Sequence, residues 1–321
     1  GVLLAGYSVL DGFDLGVGIL FPFLARREED KQALIKAIGP FWDGNEVWLL
    51  AGGAALFAAF PPAYATVFSG FYLALMIVLV ALILRAVSFE FRSHDLKRQK
   101  FWEGAFFVGS FLPALLFGVA LGNVLQGIPL DAGGDFRGSF FTLLRPFPLA
   151  CGLLGLSSFL LHGTTYIILK TEGGLKARAK RLAGGLWWVE AGLFLHSLVM
   201  SFIYLPQAKS HFLAWVAAAI FIISLAVLNL GLAGDKDRLA FLATALSLLS
   251  LWGIVGAVQY PVLVRASDPA LSLTAANASS SPLTLRVMLI IALIGLPIVI
   301  AAFVFLYKVF KGRVKPGRAG Y

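Results

Sequence analysis

Cysteine is almost missing: Cys151 is the single one in 321 residues. No disulfide framework and no cysteine-based metal site can be built within the chain, and the redox compartment is left open. Charge is also scarce, at 13% of residues. No segment between apolar runs is long enough to form a domain of its own, so the chemistry belongs to the membrane or to a partner. What fills the chain is apolar, 59% hydrophobic with a mean hydropathy of +0.87, more than a soluble core of this length requires. Those values assign a polytopic membrane protein. A net charge of +9 would suggest nucleic acid in a soluble chain. Here the basic residues sit in short loops between apolar runs, the mark of membrane topology, and no nucleic-acid partner is expected.

A membrane crossing needs about 20 apolar residues. Runs of that kind fall near 1–24, 39–60, 64–87, 104–125, 147–169, 187–206, 212–232, 239–261 and 285–308. The expected fold is therefore all-α, with nine transmembrane helices in one membrane domain over 1–321. The chain opens on Gly1 directly in an apolar run, so an N-terminal piece is expected to be missing. Residues 1–24 are not read as a signal peptide, because Asp11 and Asp14 interrupt the run.

Lysine and arginine set the orientation. The first loop has Arg26, Arg27, Lys31 and Lys36, the third Arg92, Lys97, Arg98 and Lys100, and the fifth Lys170, Lys176, Arg178, Lys180 and Arg181. The seventh has Lys236 and Arg238, and the tail Lys308, Lys311, Arg313, Lys315 and Arg318. The even-numbered loops have only Arg137, Arg145, Lys209 and Arg265. The positive-inside rule places the N-terminus outside and the C-terminus in the cytoplasm of a prokaryotic inner membrane. The two longest outer segments, 126–146 and 262–284, read as surface connections.

A faint internal repeat matches Leu10-Asp11-Gly12 to Leu161-His162-Gly163 and Gly39-Pro40-Phe41-Trp42 to Gly185-Leu186-Trp187-Trp188. It predicts two four-helix bundles, about 1–127 and 145–261, related by an axis along the membrane normal, plus an additional helix at 285–308. The alternative is chance recurrence of glycine and tryptophan at membrane interfaces.

The second run carries Trp42, Asp43, Asn45, Glu46 and Trp48 near one end, a cluster that a lipid-facing helix would not hold. Each ionised carboxylate at a span centre costs roughly 2.5–3.5 kcal/mol even on the lenient insertion scale. Counting helical rise from the 25–38 loop puts Asp43 roughly 6 Å deep, Glu46 roughly 10 Å, Asp14 roughly 16 Å and Asp11 roughly 20 Å. Burial disfavours the charged form of a carboxyl, and a group tuned towards neutral pH accepts and releases protons. The ladder is either a proton or ion path or a set of neutral interhelical contacts. Across a Pro61-Pro62 turn, Arg85 falls about 6 Å from the depth of Asp43, within reach of its side chain, and is the expected counter-ion. In that scheme Glu46 or Asp14 relays while Asp43 anchors.

His162 and His196 lie within spans, as haem ligands or as packing residues, with no spacing that pairs them. Glu190 marks a second polar focus in the second half. Gly122 to Gly127 ends the fourth helix as a C-cap or a subunit contact.

Five segments then carry a resemblance: LDGFDLGVGIL (10–20), GPFWDGNEVWLLAGGAALFAAFP (39–61), FSGFYLALM (68–76), LRAVSFEFRS (84–93) and GSFLPALLFGVALGNVLQGIP (109–129). In this order the chain resembles subunit II of cytochrome bd quinol oxidases, densely over 1–129 and thinly beyond. The resemblance implies a non-haem subunit that packs on a haem-bearing subunit I, which holds haems b and d and the main quinol site. Oxygen is reduced to water with electrons from ubiquinol or menaquinol and protons from the cytoplasm. It also implies a structural quinone or lipid in some members and a small single-helix subunit as a further partner. By position Asp43 matches the family's proton-path acid, and Trp42, Asp14 and Arg85 match other functional or assembly positions. Some relatives have glutamine where this chain has Glu46, which argues against an obligatory relay there. The rival class is a proton-coupled secondary transporter using the same carboxylates, which would act alone and have helices broken near the midplane.

Overall fold

Two glycines decide how closely the central helices approach. A Cβ on Gly16 would run into the Phe159 carbonyl oxygen, and one on Gly163 would come within 2.6 Å of the Gly16 carbonyl carbon. The two backbones therefore touch directly, as small residues allow in membrane helices. The helices that meet there are α2 (Gly12–Leu24) and α8 (Pro146–Lys170).

The computed structural model describes residues 1–314. Lys315 and Arg318, counted above with the basic tail, lie outside the described residues. The order is α1 (Val2–Leu10), α2, α3 (Glu28–Ile38), α4 (Trp42–Ala59), α5 (Pro61–Gly70), α6 (Tyr72–His94), α7 (Gln99–Gln126), α8, α9 (Gly173–Tyr204), α10 (Phe212–Ala233), α11 (Asp237–Gln259) and α12 (Pro282–Val309). A two-stranded antiparallel pair, β1 (Val262–Val264) and β2 (Leu273–Thr274), precedes α12.

Among the described residues, eight segments are long and apolar enough to cross a membrane: α1 with α2, and α6 to α12. Nine crossings were expected. The difference is α4, which forms where the second run was placed but opens on Asp43, Asn45 and Glu46. Its length of 18 residues, about 27 Å, is close to the hydrocarbon thickness.

Several boundaries differ from the hydropathy reading for physical reasons. The first run is divided at Asp11, yet Asp11 N–H donates to Tyr7 and its carbonyl accepts from Leu15, so the helical ladder continues through it. Pro61 starts α5 at the first helical position, where a missing N–H is harmless. The chain then breaks at Phe71 instead of running as one helix over 64–87. The 25–38 loop contains α3, and α9 begins 14 residues before the expected start at 187. Charge ends a hydropathy window without ending a helix. Both segments are amphipathic: Leu34, Ala37 and Ile38 are buried on α3, and Leu175, Ala179 and Ala183 form one buried stripe on α9.

Burial is uneven. In the apolar windows of α1–α2 and α8, 61% and 72% of residues are buried, against none in α12. The core is thus centred on α2 and α8, and α12 is peripheral. Helix pairings recur along the chain: α6 packs on α7 as α10 does on α11, α1 on α4 as α8 does on α9, and α2 on α7 as α8 does on α11.

The two long connecting segments, 126–146 and 262–284, are joined to each other. Ile128 N–H donates to the Arg265 carbonyl at 2.9 Å, and Ser267 N–H to the Ile128 carbonyl at 2.8 Å. Gly127 caps α7 at φ 102°, a conformation suited to glycine. Arg145 fastens this end by donating to Asn123 Oδ1 at 2.9 Å and to the Gly127 carbonyl at 2.6 Å.

Gly16→Val is expected to destabilise the detergent-solubilised protein by at least about 1–3 kcal/mol, the usual cost of overpacking. Gly53→Ala, at a site with no neighbouring atom within 4 Å, should leave the melting temperature unchanged or raised. Thermal unfolding of both variants beside the parent checks the contact.

Candidate functional site

A guanidinium buried in a membrane bundle has to be met by charge or by several acceptors, since its desolvation is otherwise prohibitive. Arg85 on α6 is 1% exposed. Its Nη1 and Nη2 donate to the two carboxylate oxygens of Asp11 at 2.8 and 2.7 Å. This fork is the strongest geometry available to such a pair. Nη1 also lies 3.2 Å from Glu46 Oε1 on α4. The α1–α2 junction at Asp11 therefore sits where the bundle's most buried cation is neutralised.

Asp14, one turn further along α2, is fully buried. Asn45 Nδ2 donates to its Oδ2 at 2.7 Å and to the Leu10 carbonyl at 2.8 Å. Asp14 Oδ1 is buried with no hydrogen-bond partner among the described residues. Three carboxyls thus surround one cation: Asp11 is committed to it, Glu46 touches it from one side, and Asp14 is held by an amide.

Five of the expected site residues, Asp11, Asp14, Asn45, Glu46 and Arg85, come together as one cluster. Asp43 does not join it. It is exposed at the start of α4 and makes no hydrogen bond or ion pair among the described residues. The expected Arg85–Asp43 pair is corrected to Arg85–Asp11 with Glu46 alongside. The cause is the break at Phe71: depth was counted across a tight Pro61-Pro62 turn, whereas α5 intervenes before α6 starts. Trp42 is half-buried, its ring centroid 5.2 Å from that of Phe89 on α6.

His162 is fully buried with both ring nitrogens engaged, at 2.7 Å from Thr244 Oγ1 and 3.0 Å from the Val9 carbonyl oxygen. Its ring also stacks on Phe241 at 4.7 Å. It is a packing residue that ties α8 to α11 and α1. His196 is exposed on α9, so the two in-span histidines do not face one site. Among the described residues no group of three or more His, Cys, Asp and Glu could hold a metal ion. Glu190 is fully buried and accepts from the Ser157 and Ser158 hydroxyls of α8, so the second half has a carboxylate between its first two helices as the first half does.

The basic end is closed by ion pairs that no spacing rule predicted. Glu103 receives Lys31 Nζ at 2.7 Å and Arg92 Nη2 at 2.9 Å, and Arg92 also reaches Glu28 at 2.8 Å. Arg178 on α9 donates to Asp30 on α3 at 2.6 Å. These contacts link the short helix α3 to both halves.

A family model described as cytochrome bd terminal oxidase subunit II matches residues 1–310. The chain belongs to that family. Among its relatives, a probable cytochrome oxidase subunit 2 of Haemophilus influenzae is 36% identical, with 98% of this chain and 92% of the relative covered. Cytochrome bd-I ubiquinol oxidase subunit 2 of Escherichia coli is 34% identical over 98% of this chain and 93% of its own length. Cytochrome bd ubiquinol oxidase subunit 2 of Bacillus subtilis is 36% identical, with 98% and 94% covered. A chain in the structure of bd oxidase from Geobacillus thermodenitrificans superposes with a TM-score of 0.80 over 96% of this chain and 95% of that one, at 16% identity. The shared fold and the apolar helices make this cytochrome bd subunit II a multi-pass membrane protein. The match extends through residue 310, well past the 1–129 region that carries the motifs.

Asp11→Asn would leave Arg85 buried beside a neutral partner and is expected to destabilise the fold by roughly 3–5 kcal/mol. Asp43→Asn, at an exposed position, should change stability by no more than about 0.5 kcal/mol. Melting curves of the two purified variants distinguish Asp11 from Asp43 as the anchor.

Proposed function

We propose that this chain is the haem-free subunit II of a cytochrome bd quinol:oxygen oxidoreductase, holding a haem-bearing subunit I in shape and supplying part of its proton path. The observation that carries the proton-path reading is the cluster of Asp11, Asp14 and Glu46 around the single cation Arg85. Reducing oxygen to water consumes protons, and taking them from one side of the membrane makes turnover electrogenic. Asp11 and Arg85 form a fixed neutral pair. Glu46 and Asp14 are the carboxyls left without a cation of their own, and they are the exchangeable sites. Asp43, exposed one turn before Glu46 on α4, is the entrance.

In this reading α4 is the ninth crossing. The halves 1–127 and 145–261 are two four-helix bundles about a pseudo-two-fold axis, supported by the recurring helix pairings and the Gly16–Gly163 contact. α12 is the additional helix. The basic loops face the cytoplasm, and the subunit resides in the prokaryotic inner membrane with its N-terminus outside. Haems b and d and the quinol reaction belong to subunit I. Further partners are the quinol pool, a small single-helix subunit, and a structural quinone or lipid. Family membership favours this role over the solitary transporter.

Asp43→Asn, made in the assembled complex, should slow quinol-driven oxygen consumption by roughly ten-fold or more, as removal of a proton-transfer group does. The b- and d-type haem bands of the purified complex should persist. Full activity in Asp43→Asn removes that residue from the path, and loss of activity together with all haem assigns it a structural role instead. A colourless protein that purifies alone and shows substrate-dependent proton flux would overturn the oxidase reading.

A further inference from the structure

Between α1, α4 and α12 lies a cavity of about 480 Å³, within the range of roughly 300–1,000 Å³ usual for small-molecule sites. Its walls are apolar, with Leu10, Trp48, Ile300 and Phe303 facing it, and Lys308 and Lys311 stand at its basic end. Along α12 the slot extends from Ile300 to Lys308, about 12 Å of helical rise. It is therefore elongated along the helix and apolar.

The charge at its mouth is not neutralised from within the chain. Lys308 and Lys311 are both exposed, and neither has a carboxylate partner among the described residues. The neighbouring cations are committed elsewhere: Lys170 Nζ donates to the Phe310 carbonyl at 2.7 Å, and Arg313 pairs with Glu172 and Asp237 at 3.0 and 3.1 Å. Further in, the Trp48 indole N–H is buried without an acceptor among the described residues. An apolar slot with two unpaired lysines at its end asks for a ligand with a hydrocarbon tail and a negatively charged head.

We propose that this slot binds one anionic glycerophospholipid, with its phosphodiester between Lys308 and Lys311, one acyl chain between α4 and α12, and an ester oxygen within reach of Trp48. Basic pockets between membrane helices suit phosphate headgroups in this way. An isoprenoid quinone has the tail but a neutral head, and would leave both lysines unused. The bound chain gives α12, which packs on its own protein only through partly buried residues such as Phe303, Tyr307 and Phe310, a further apolar neighbour. The inference names the site and class for the lipid partner proposed above and does not depend on the proton path.

The test is retention of lipid by the purified complex, read by native mass spectrometry and lipid extraction after reconstitution in nanodiscs of phosphatidylcholine with a minority of phosphatidylglycerol. One tightly held phosphatidylglycerol per complex is expected. The double variant Lys308→Gln/Lys311→Gln should weaken that retention by roughly 30-fold, about five-fold per lysine. Ile300→Trp, which fills the slot and leaves the lysines intact, should abolish it. Equal retention in parent and variants, phosphatidylcholine held as well as phosphatidylglycerol, or a quinone recovered in its place would each overturn the site. The haem bands are recorded on the same samples. Their absence from the parent would count against the oxidase reading, while the lipid count would still decide this one.

Discussion

The guanidinium of Arg85 is the constraint on which the rest of the interior depends. Removing that charge from water is unfavourable by several kcal/mol after relaxation, and the bundle offsets it with a two-point contact to Asp11 and a second carboxylate from Glu46. Three helices are thereby placed relative to one another: α6 provides the cation, the α1–α2 rod the main anion, and α4 the second. The position of α4 follows from this more than from hydropathy. Its polar first turns would be misplaced in lipid, but they face Asp14 and Arg85, where Asn45 and Glu46 are used.

Outside that cluster the structure relies on close approach and on local satisfaction. Several buried polar side chains find partners within a short distance: His162 between Thr244 and the Val9 carbonyl, Glu190 against two serines, Tyr166 donating to the Ala37 carbonyl at 2.6 Å. Each of these joins two elements, so the polar residues of the membrane interior act as cross-links. Ion pairs accumulate at the basic end, where α3 is held by Arg92, Lys31 and Arg178 through Glu28, Glu103 and Asp30. The opposite end is held by backbone pairing between its two long segments.

Hydropathy and charge made most of this architecture legible. Seven of the expected runs match apolar helices in place, because twenty apolar residues leave a chain few alternatives to a helix in lipid. Most of the cluster was also legible, since Asp11, Asp14, Glu46 and Arg85 are conspicuous inside apolar runs, although Asp43, expected among them, lies outside it. Their pairing was not. Depth along helices can be counted, but the count assumed continuity at Phe71, and a single break moved Arg85 from Asp43 to Asp11. The helical segments at 28–38 and 173–186 were missed because a hydropathy window registers charge and ignores periodicity. The stripe Leu175, Ala179, Ala183 was present in the sequence as a signal of the second kind. Glu190 was noticed, but its serine partners on α8 depend on how two helices rotate against each other, which no spacing within one segment encodes.

The contact between Gly16 and Gly163 has a mechanical consequence. Where two helices meet through side chains, a relative shift can be absorbed by rotamers sliding past one another. Here bare backbone rests on bare backbone, with no soft layer between the two most buried helices. The two helices can neither be pressed closer nor slide freely at that height, so motion between them is confined to rocking about a fulcrum. Asp11 lies on the same helical rod, a little over one turn from that fulcrum. Rocking therefore displaces it very little, and the Arg85 fork sits where the lever arm is shortest.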